Sequence, residues 1–160
     1  GRFQETYLAG LRAKLGLSTV HPEDAALLRS LLETMQAEEA DFTQTFRALS
    51  SEGAISGEGV PEPLAGFEAW LERWRQRLAQ GGGVSVSSRV DAMKQVNPAF
   101  IPRNHLVEAM IKAAVEESDF SLFEDLLAVC TRPYDDQPGK EVYARPAQAS
   151  ERVRHTFCGT

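Results

Sequence analysis

Apolar residues recur every three or four positions along most of this chain, which is the spacing that places them on one face of an α-helix. The first series is Phe3, Tyr7, Leu8, Leu11 and Leu15, and the glycine that follows suits the left-handed position beyond a helix C-terminus. The same spacing predicts six further helices, whose apolar positions fall within residues 25–35, 42–49, 67–78, 87–96, 103–118 and 121–130.

Each predicted helix has a stripe of inward positions. In the second helix these are Ala25, Leu28, Leu31, Leu32 and Met35; in the sixth they are Leu106, Met110, Ile111 and Ala114; in the seventh they are Phe123, Leu126, Leu127 and Cys130. No run of alternating strand pattern interrupts the series. The predicted fold class is therefore all-α.

Local signals predict where several helices begin. Asp41 suits the N-cap of the third helix, and two Ser-x-x-acid spacings, beginning at Ser88 and Ser121, read as capping boxes. Residues 51–63 are rich in glycine, serine and proline and are predicted to form a loop. Residues 133–160 contain prolines and no sustained period, so we expect an extended tail that follows a helical part spanning residues 1–132.

Composition and charge narrow the possible functions. A chain of 160 residues can bury its own core as one domain, and the formal net charge of −6 argues against binding nucleic acid or anionic membranes without specificity. Apolar runs are too short to span a bilayer, and no signal peptide is recognisable. Two cysteines make no disulfide framework, which favours a reducing compartment. Because the chain begins within a helical pattern and without Met, we expect a piece of a longer protein.

Motifs for catalysis or metal binding are not found in the sequence. The glycine-rich stretches "SGEGVP" and "QGGGVS" lack the lysine and the strand-turn-helix setting of a phosphate loop. His21, His105 and His155 are scattered, and a surface hydrogen bond between His105 and Glu108 is a simpler interpretation than a metal site.

Other conspicuous residues also have structural interpretations. Trp70 and Trp74 lie one turn apart on an apolar face and are predicted to pack in the core, and Asp135 and Asp136 to lie in a solvated turn. Cys130 follows an apolar stripe and is predicted to be a buried, inert thiol. The residues alone leave two hypotheses open: an autonomous helical interaction module with no catalytic role, or a subdomain of an enzyme whose site lies elsewhere.

Four stretches resemble one known family. "YLAGLRAKLGL" (7–17), "NPAFIPRNHLVEAMIKAA" (97–114), "DFSLFEDLLAVCTRPYDDQPG" (119–139) and "VYARP" (142–146) are similar, in this order, to the C-terminal region of the selenoprotein O family, also called the YdiU family. Departures from the family pattern are Ala147, where a second proline is common, and Gly159 and Thr160 after the last cysteine.

The resemblance implies a specific activity for the parent protein. Members have a protein-kinase-like fold and transfer AMP from ATP to hydroxyls of Ser, Thr or Tyr on protein substrates, with Mg or Mn required. Their nucleotide- and metal-binding residues lie in the N-terminal and central parts. This chain would therefore be a multi-helix C-terminal subdomain with an extended tail, with no catalytic, cofactor-binding or metal residue of its own, and inactive alone.

The ending "HTFCGT" contains the one candidate site residue, Cys158. Its chemistry alone leaves open whether it is a chance thiol or a working group. The resemblance implies that it pairs with a cysteine near the activation segment of the kinase-like core and that thioredoxin-type reductants release it. The expected partners are thus the remainder of its own kinase-like chain, protein substrates and such reductants, with no nucleic acid and no membrane. The expected location is the cytoplasm of a bacterium, or the mitochondrion in a eukaryote.

Overall fold

The computed structural model describes residues 2–59 and 61–151, which form helices joined by loops and contain no strand. The eight α-helices of this described part are α1 (Arg2–Lys14), α2 (Asp24–Ala37), α3 (Phe42–Leu49), α4 (Glu52–Ser56), α5 (Glu68–Gln80), α6 (Val86–Lys94), α7 (Asn104–Lys112) and α8 (Ser121–Cys130). Short 3-10 turns lie at Glu62–Leu64, Glu141–Tyr143 and Ala149–Glu151. The all-α prediction is confirmed for this part of the chain.

The chain forms two compact units that divide after Pro98. The first contains α1 to α6, and the second contains α7, α8 and the segment that follows them. The boundary that we predicted between a helical part and a tail, at residues 132 and 133, falls inside the second unit. There the carbonyl of Pro133 accepts hydrogen bonds from the N–H groups of Ala99 at 2.8 Å and Phe100 at 3.2 Å.

The core of the first unit is built around the two tryptophans of α5. Trp70 and Trp74 are buried, and their rings stack with centroids 5.7 Å apart. The indole N–H of Trp70 donates to the carbonyl of Leu27 at 3.0 Å, and that of Trp74 donates to the carbonyl of Leu15 at 3.0 Å. Both indole N–H groups therefore have hydrogen-bond acceptors inside an apolar core. The predicted core role of the two tryptophans is confirmed.

Helix ends agree with the sequence in some places and differ in others. Gly16 has φ +65°, which strains any residue with a Cβ, and a Cβ there would also displace Met93, whose Sδ would lie 2.7 Å away. Asp41 caps α3 as predicted, accepting from Gln44 N–H at 2.8 Å.

The N-cap of α6 is Ser85 rather than the predicted Ser88, because the helix begins one turn earlier. At α8 the predicted capping box of Ser121 is replaced by Asp119 Oδ1, which accepts from Ser121 N–H at 2.9 Å.

The predicted loop at residues 51–63 contains the short helix α4. Ser51 Oγ accepts from the N–H of Ala54 at 3.3 Å, Ala54 is completely buried, and the helix ends at Gly57 with φ +87°. A single buried alanine gives too weak a periodic signal to be seen in a sequence rich in glycine and serine. The loop prediction was therefore wrong for Glu52–Ser56.

The inward faces of the second unit differ from those predicted. Leu106, Leu126 and Val129 are buried, whereas Ile111, Phe123 and Leu127 are 46%, 44% and 52% exposed. The α-helix α7 also passes into a π-helical turn at Ala113–Glu117, which rotates the following residues relative to a regular helix. The second unit is therefore too small to bury every apolar residue that its helical pattern offers.

Candidate functional site in the C-terminal segment

The candidate site residue from the sequence, Cys158, lies outside the described residues. The other cysteine, Cys130, is the last residue of α8 and is a free thiol. It is half-buried rather than fully buried as predicted, and its burial raises the pKa of the thiol. Because the thiolate is the reactive form, Cys130 is held in its unreactive state near neutral pH.

Residues 133–151, which we call the strap, precede Cys158 in the sequence and are fixed to α8 through Asp125. Lys140 Nζ donates to Asp125 Oδ1 at 2.9 Å, and the hydroxyl of Tyr143 donates to Asp125 Oδ2 at 2.9 Å. Lys140 also lies 5.4 Å from the centre of the Tyr143 ring. The hydrogen bond from Lys140, followed by that from Tyr143, holds the pKa of Asp125 below its usual range. One carboxylate thus positions two side chains of the strap.

The start of the strap closes the C-terminus of α8. Gln137 Nε2 donates to the carbonyl of Val129 at 3.1 Å and to that of Arg132 at 2.9 Å. The carbonyl of Val129, in the last turn of α8, also accepts from the N–H of Arg132 at 3.2 Å, so the amide of Gln137 joins the end of the helix to the turn that follows it. We call the "PYDDQP" motif a clasp, because the side-chain amide of Gln137 makes the hydrogen bonds that hold it to the end of α8.

The end of the strap is held by Arg103 and by an ion pair between two of its own residues. Arg103, just before α7, donates from Nη2 to the carbonyl of Ala144 at 2.8 Å. Arg145 makes a two-pronged pair with Glu151, with both N to O distances 2.6 Å, and Gln148 N–H donates to Glu151 Oε2 at 2.9 Å. The bond from Arg145, followed by that from the backbone N–H of Gln148, lowers the pKa of Glu151 to about 2.

His105 lies close to this ion pair and is the buried titratable group of the second unit that the sequence interpretation missed. The side chain is 9% exposed, and among the described residues its Nε2 finds no hydrogen-bond partner. The predicted surface hydrogen bond with Glu108 is wrong, because Glu108 points to solvent while His105 is buried. Burial lowers the pKa of His105; Glu151 opposes this shift, and Arg145 and Arg103 add to it.

The first unit contains a polar cleft of about 300 Å³ between α2 and α5. Its walls include Glu23, Arg73, Gln76 and Arg77. Arg77 is already committed, because its Nε donates to Asp24 and its Nη2 donates to the carbonyl of Thr19 at 2.7 Å. The cleft therefore offers no free buried cation for an anionic ligand.

Catalytic features are sparse in the part of the chain that the structure describes. Residues 2–59 and 61–151 contain no group of three or more His, Cys, Asp or Glu side chains placed to hold a metal ion. Within the same residues, every helix is too short or too polar to span a bilayer. The glycines of "SGEGVP" and "QGGGVS" with positive φ serve a helix end and loops, namely Gly57, Gly59, Gly82 and Gly83.

Comparison with known proteins identifies the class to which these two helical units belong. The sequence model of the family described as "Protein adenylyltransferase SelO" matches residues 1–131, which is most of the chain. The chain therefore belongs to this family, and the resemblance seen in the motifs is confirmed.

Individual relatives agree. Three curated proteins named "Protein nucleotidyltransferase YdiU" align with 99% of this chain: that of Bradyrhizobium sp. (strain BTAi1) is 52% identical, and those of Rhizobium rhizogenes (strain K84) and Rhizobium meliloti (strain 1021) are each 51% identical. The chain spans about a third of the length of these relatives.

Proposed function

We propose that this chain is the C-terminal third of a protein adenylyltransferase, which transfers AMP from ATP to Ser, Thr or Tyr hydroxyls of other proteins. The observation that carries the proposal is the 52% identity, over 99% of the chain, to a relative named as a protein nucleotidyltransferase. The kinase-like remainder of the parent chain binds ATP with Mg or Mn. We place the parent in the cytoplasm of a bacterium, in line with the bacterial relatives.

The reaction defines what that remainder must supply. The acceptor hydroxyl oxygen attacks the α-phosphorus of ATP, the bond from that phosphorus to the bridging oxygen breaks, pyrophosphate leaves, and the hydroxyl proton passes to a base. Positioned metal ions and cations must neutralise the charge that develops on the phosphates. We assign these groups to the remainder of the parent chain and a supporting role to this segment.

The role that we assign to the segment is redox regulation through Cys158. Its thiol and a cysteine of the kinase-like core lose two electrons and two protons to an oxidant and form a disulfide that restricts the active site. A thioredoxin-type dithiol returns the two electrons and releases the tail. Anchoring of the strap by Asp125 and Arg103 supports this role, because it holds the segment that precedes the last nine residues. A short tether raises the effective concentration of a thiol to the order of millimolar.

A transfer assay with two labels tests the catalytic part of the proposal. The full-length parent and the 160-residue chain are each incubated with a protein acceptor, Mg or Mn, and ATP labelled at the α- or the γ-phosphate. The parent should transfer the α-label and not the γ-label, and the 160-residue chain should transfer neither. Transfer of the γ-label by the parent would identify a phosphotransferase instead, and α-label transfer by the 160-residue chain would show an active site within it.

The redox part needs a separate comparison. AMP transfer by the full-length parent is measured after oxidation and after reduction, with Cys158→Ser and the matched control Cys130→Ser. Cys158→Ser should remove the dependence on reductant, and Cys130→Ser should preserve it. An unchanged dependence in Cys158→Ser would exclude Cys158 as the regulatory thiol while leaving AMP transfer intact.

A further inference from the structure

Helix α8 has two apolar faces, and the second unit buries only one of them. Leu126 and Val129 are 5% and 1% exposed and form the buried face. Phe120, Phe123 and Leu127, which we call the α8 stripe, are 55%, 44% and 52% exposed. Phe123 and Leu127 lie one turn apart on α8, and Phe120 is the N-cap that precedes the helix, so the spacing i, i+3, i+7 places the three residues along one side.

The polar residues of α8 occupy a different side. At 100° per residue, the α8 stripe covers an arc of about 60°, and Ala128 lies about 100° around the helix from Leu127. Glu124 and Ser121 share the flank of Ala128, and all three are exposed. The apolar and polar residues outside the buried face are therefore separated. Single exposed apolar residues are ordinary, whereas three large ones aligned on one helix mark a surface that another element covers.

We infer that the α8 stripe is the docking surface for the part of the parent chain that lies outside this sequence. The inference rests on the proposed function in one respect, that the chain is a segment of a longer protein. The relatives that match 99% of this chain are about three times its length, so about two thirds of such a protein is outside the structure. That missing part belongs to the same chain and so acts at a high effective concentration, unlike a second copy.

The occupant presents apolar side chains to the α8 stripe, and the thiol of Cys130 lies at the edge of that surface. Cys130 follows Leu127 by three residues and lies about 60° around the helix from it, beside the α8 stripe. Its half-buried state then reflects an incomplete interface, and docking of the missing part shields it further. The α8 stripe thereby fixes the helix from which the clasp of Gln137 and the strap begin.

Alkylation of introduced cysteines tests the inference. Leu127→Cys and the control Ala128→Cys are each prepared in the full-length parent and in the 160-residue chain, with Cys130 and Cys158 replaced by serine. In the 160-residue chain both cysteines should react at similar rates. In the parent, Leu127→Cys should react at least tenfold more slowly than Ala128→Cys. Equal rates in the parent would overturn the inference, and slowing of Leu127→Cys in the 160-residue chain as its concentration rises would identify a second copy as the occupant.

Hydrogen exchange provides a readout without substitution. Amides of α8 should exchange at least tenfold more slowly in the unaltered parent than in the 160-residue chain, and equal exchange would contradict docking. The transfer assay of the same parent separates the two hypotheses. If the α8 stripe is protected in a parent that transfers no AMP, docking is supported and the proposed function is contradicted. If the parent transfers AMP and its α8 stripe is unprotected, the proposed function is supported and docking is contradicted.

Discussion

Arg77 Nε donates to Asp24 Oδ1 at 2.8 Å across 53 residues of sequence, and both side chains are buried, with 6% and 1% exposure. Arg77 Nη2 also donates to the carbonyl of Thr19 at 2.7 Å, and Asp24 Oδ2 accepts from the N–H of His21 at 2.9 Å. The pair therefore joins α2, α5 and the loop after α1. Removing one partner of such a buried pair destabilises the fold, because the other charge is then buried with neither a counter-charge nor water.

Asp24→Ala should consequently destabilise the first unit by about 3–5 kcal/mol, the usual effect of breaking a buried ion pair. Urea unfolding followed by tryptophan fluorescence measures this cleanly, because both tryptophans lie in the first unit. Glu23→Ala changes a neighbouring exposed carboxylate and should cost less than about 0.5 kcal/mol. Equal losses of unfolding free energy in the two variants would show that the buried pair stabilises the first unit no more than an exposed carboxylate does.

Asn97 supports a second prediction because it joins three distant parts of the first unit. Its Nδ2 donates to the carbonyl of Lys14 at 2.8 Å and to Ser50 Oγ at 2.9 Å, and the side chain is completely buried. Asn97→Ala leaves the Lys14 carbonyl without this donor, which should cost about 1–3 kcal/mol. Gln95→Ala, at an exposed position of the same turn, is the control in the same fluorescence assay. A loss no larger than that of the control would contradict the proposed linking role.

His105 predicts a pH dependence of the second unit. Burial lowers its pKa in the folded state, so between that value and its ordinary value of about 6.5 the unfolded chain binds more protons. Stability therefore rises with pH through this window and is fully present above about 6.5. The groups facing His105 are Glu151, which favours its protonation, and Arg145 and Arg103, which oppose it.

The measurement is hydrogen exchange of α7 amides, corrected for the pH dependence of intrinsic exchange. The free energy of opening should fall from pH 7.5 to 5.5 in the unaltered chain and stay level in His105→Gln. His21→Gln, in the first unit, should retain the slope in α7. If His105→Gln kept the full slope, another group would have to be responsible for it.

The sequence pattern predicted helices well where the chain buries its own apolar face. The Trp70 and Trp74 core and the Gly16 helix end follow directly from spacing and from backbone sterics. The pattern failed at Phe123 and Leu127, because periodicity marks a face as apolar without saying whether its partner lies in the same chain. Residue spacing thus predicts that a helix has an apolar face, and the structure shows whether the chain itself buries that face.

The functional residues were harder to predict for a different reason. His105 gave no signal beyond its residue type, because two of the charged groups that act on it, Arg145 and Glu151, come from the strap, far along the chain from α7. Lys140 of the strap pairs with Asp125 of α8, and Arg145 pairs with Glu151 inside the strap. Pairs made by a segment without regular structure follow no period, so the sequence does not reveal them.

The two cysteines should differ in reactivity toward an alkylating reagent in the unaltered 160-residue chain. Cys130 is half-buried and burial raises the pKa of its thiol, so little thiolate forms near pH 7. For Cys158 the prediction comes from the sequence, in which Arg152 and Arg154 precede a thiol near a chain end. Lys140 and Arg145 pair with Asp125 and Glu151, so this sequence prediction rests on Arg152 and Arg154, and salt weakens the effect of such charges on an exposed thiol. Peptide mass spectrometry should find Cys158 modified at least several-fold faster than Cys130 at pH 7, with the two rates converging in denaturant.

Raising the pH should accelerate modification of Cys130 more steeply than that of Cys158, and Cys130→Ser confirms which peptide carries the slow signal. Modification of Cys130 as fast as that of Cys158 in the folded chain would show that α8 does not protect its thiol, and that reactivity cannot distinguish the regulatory cysteine from the structural one.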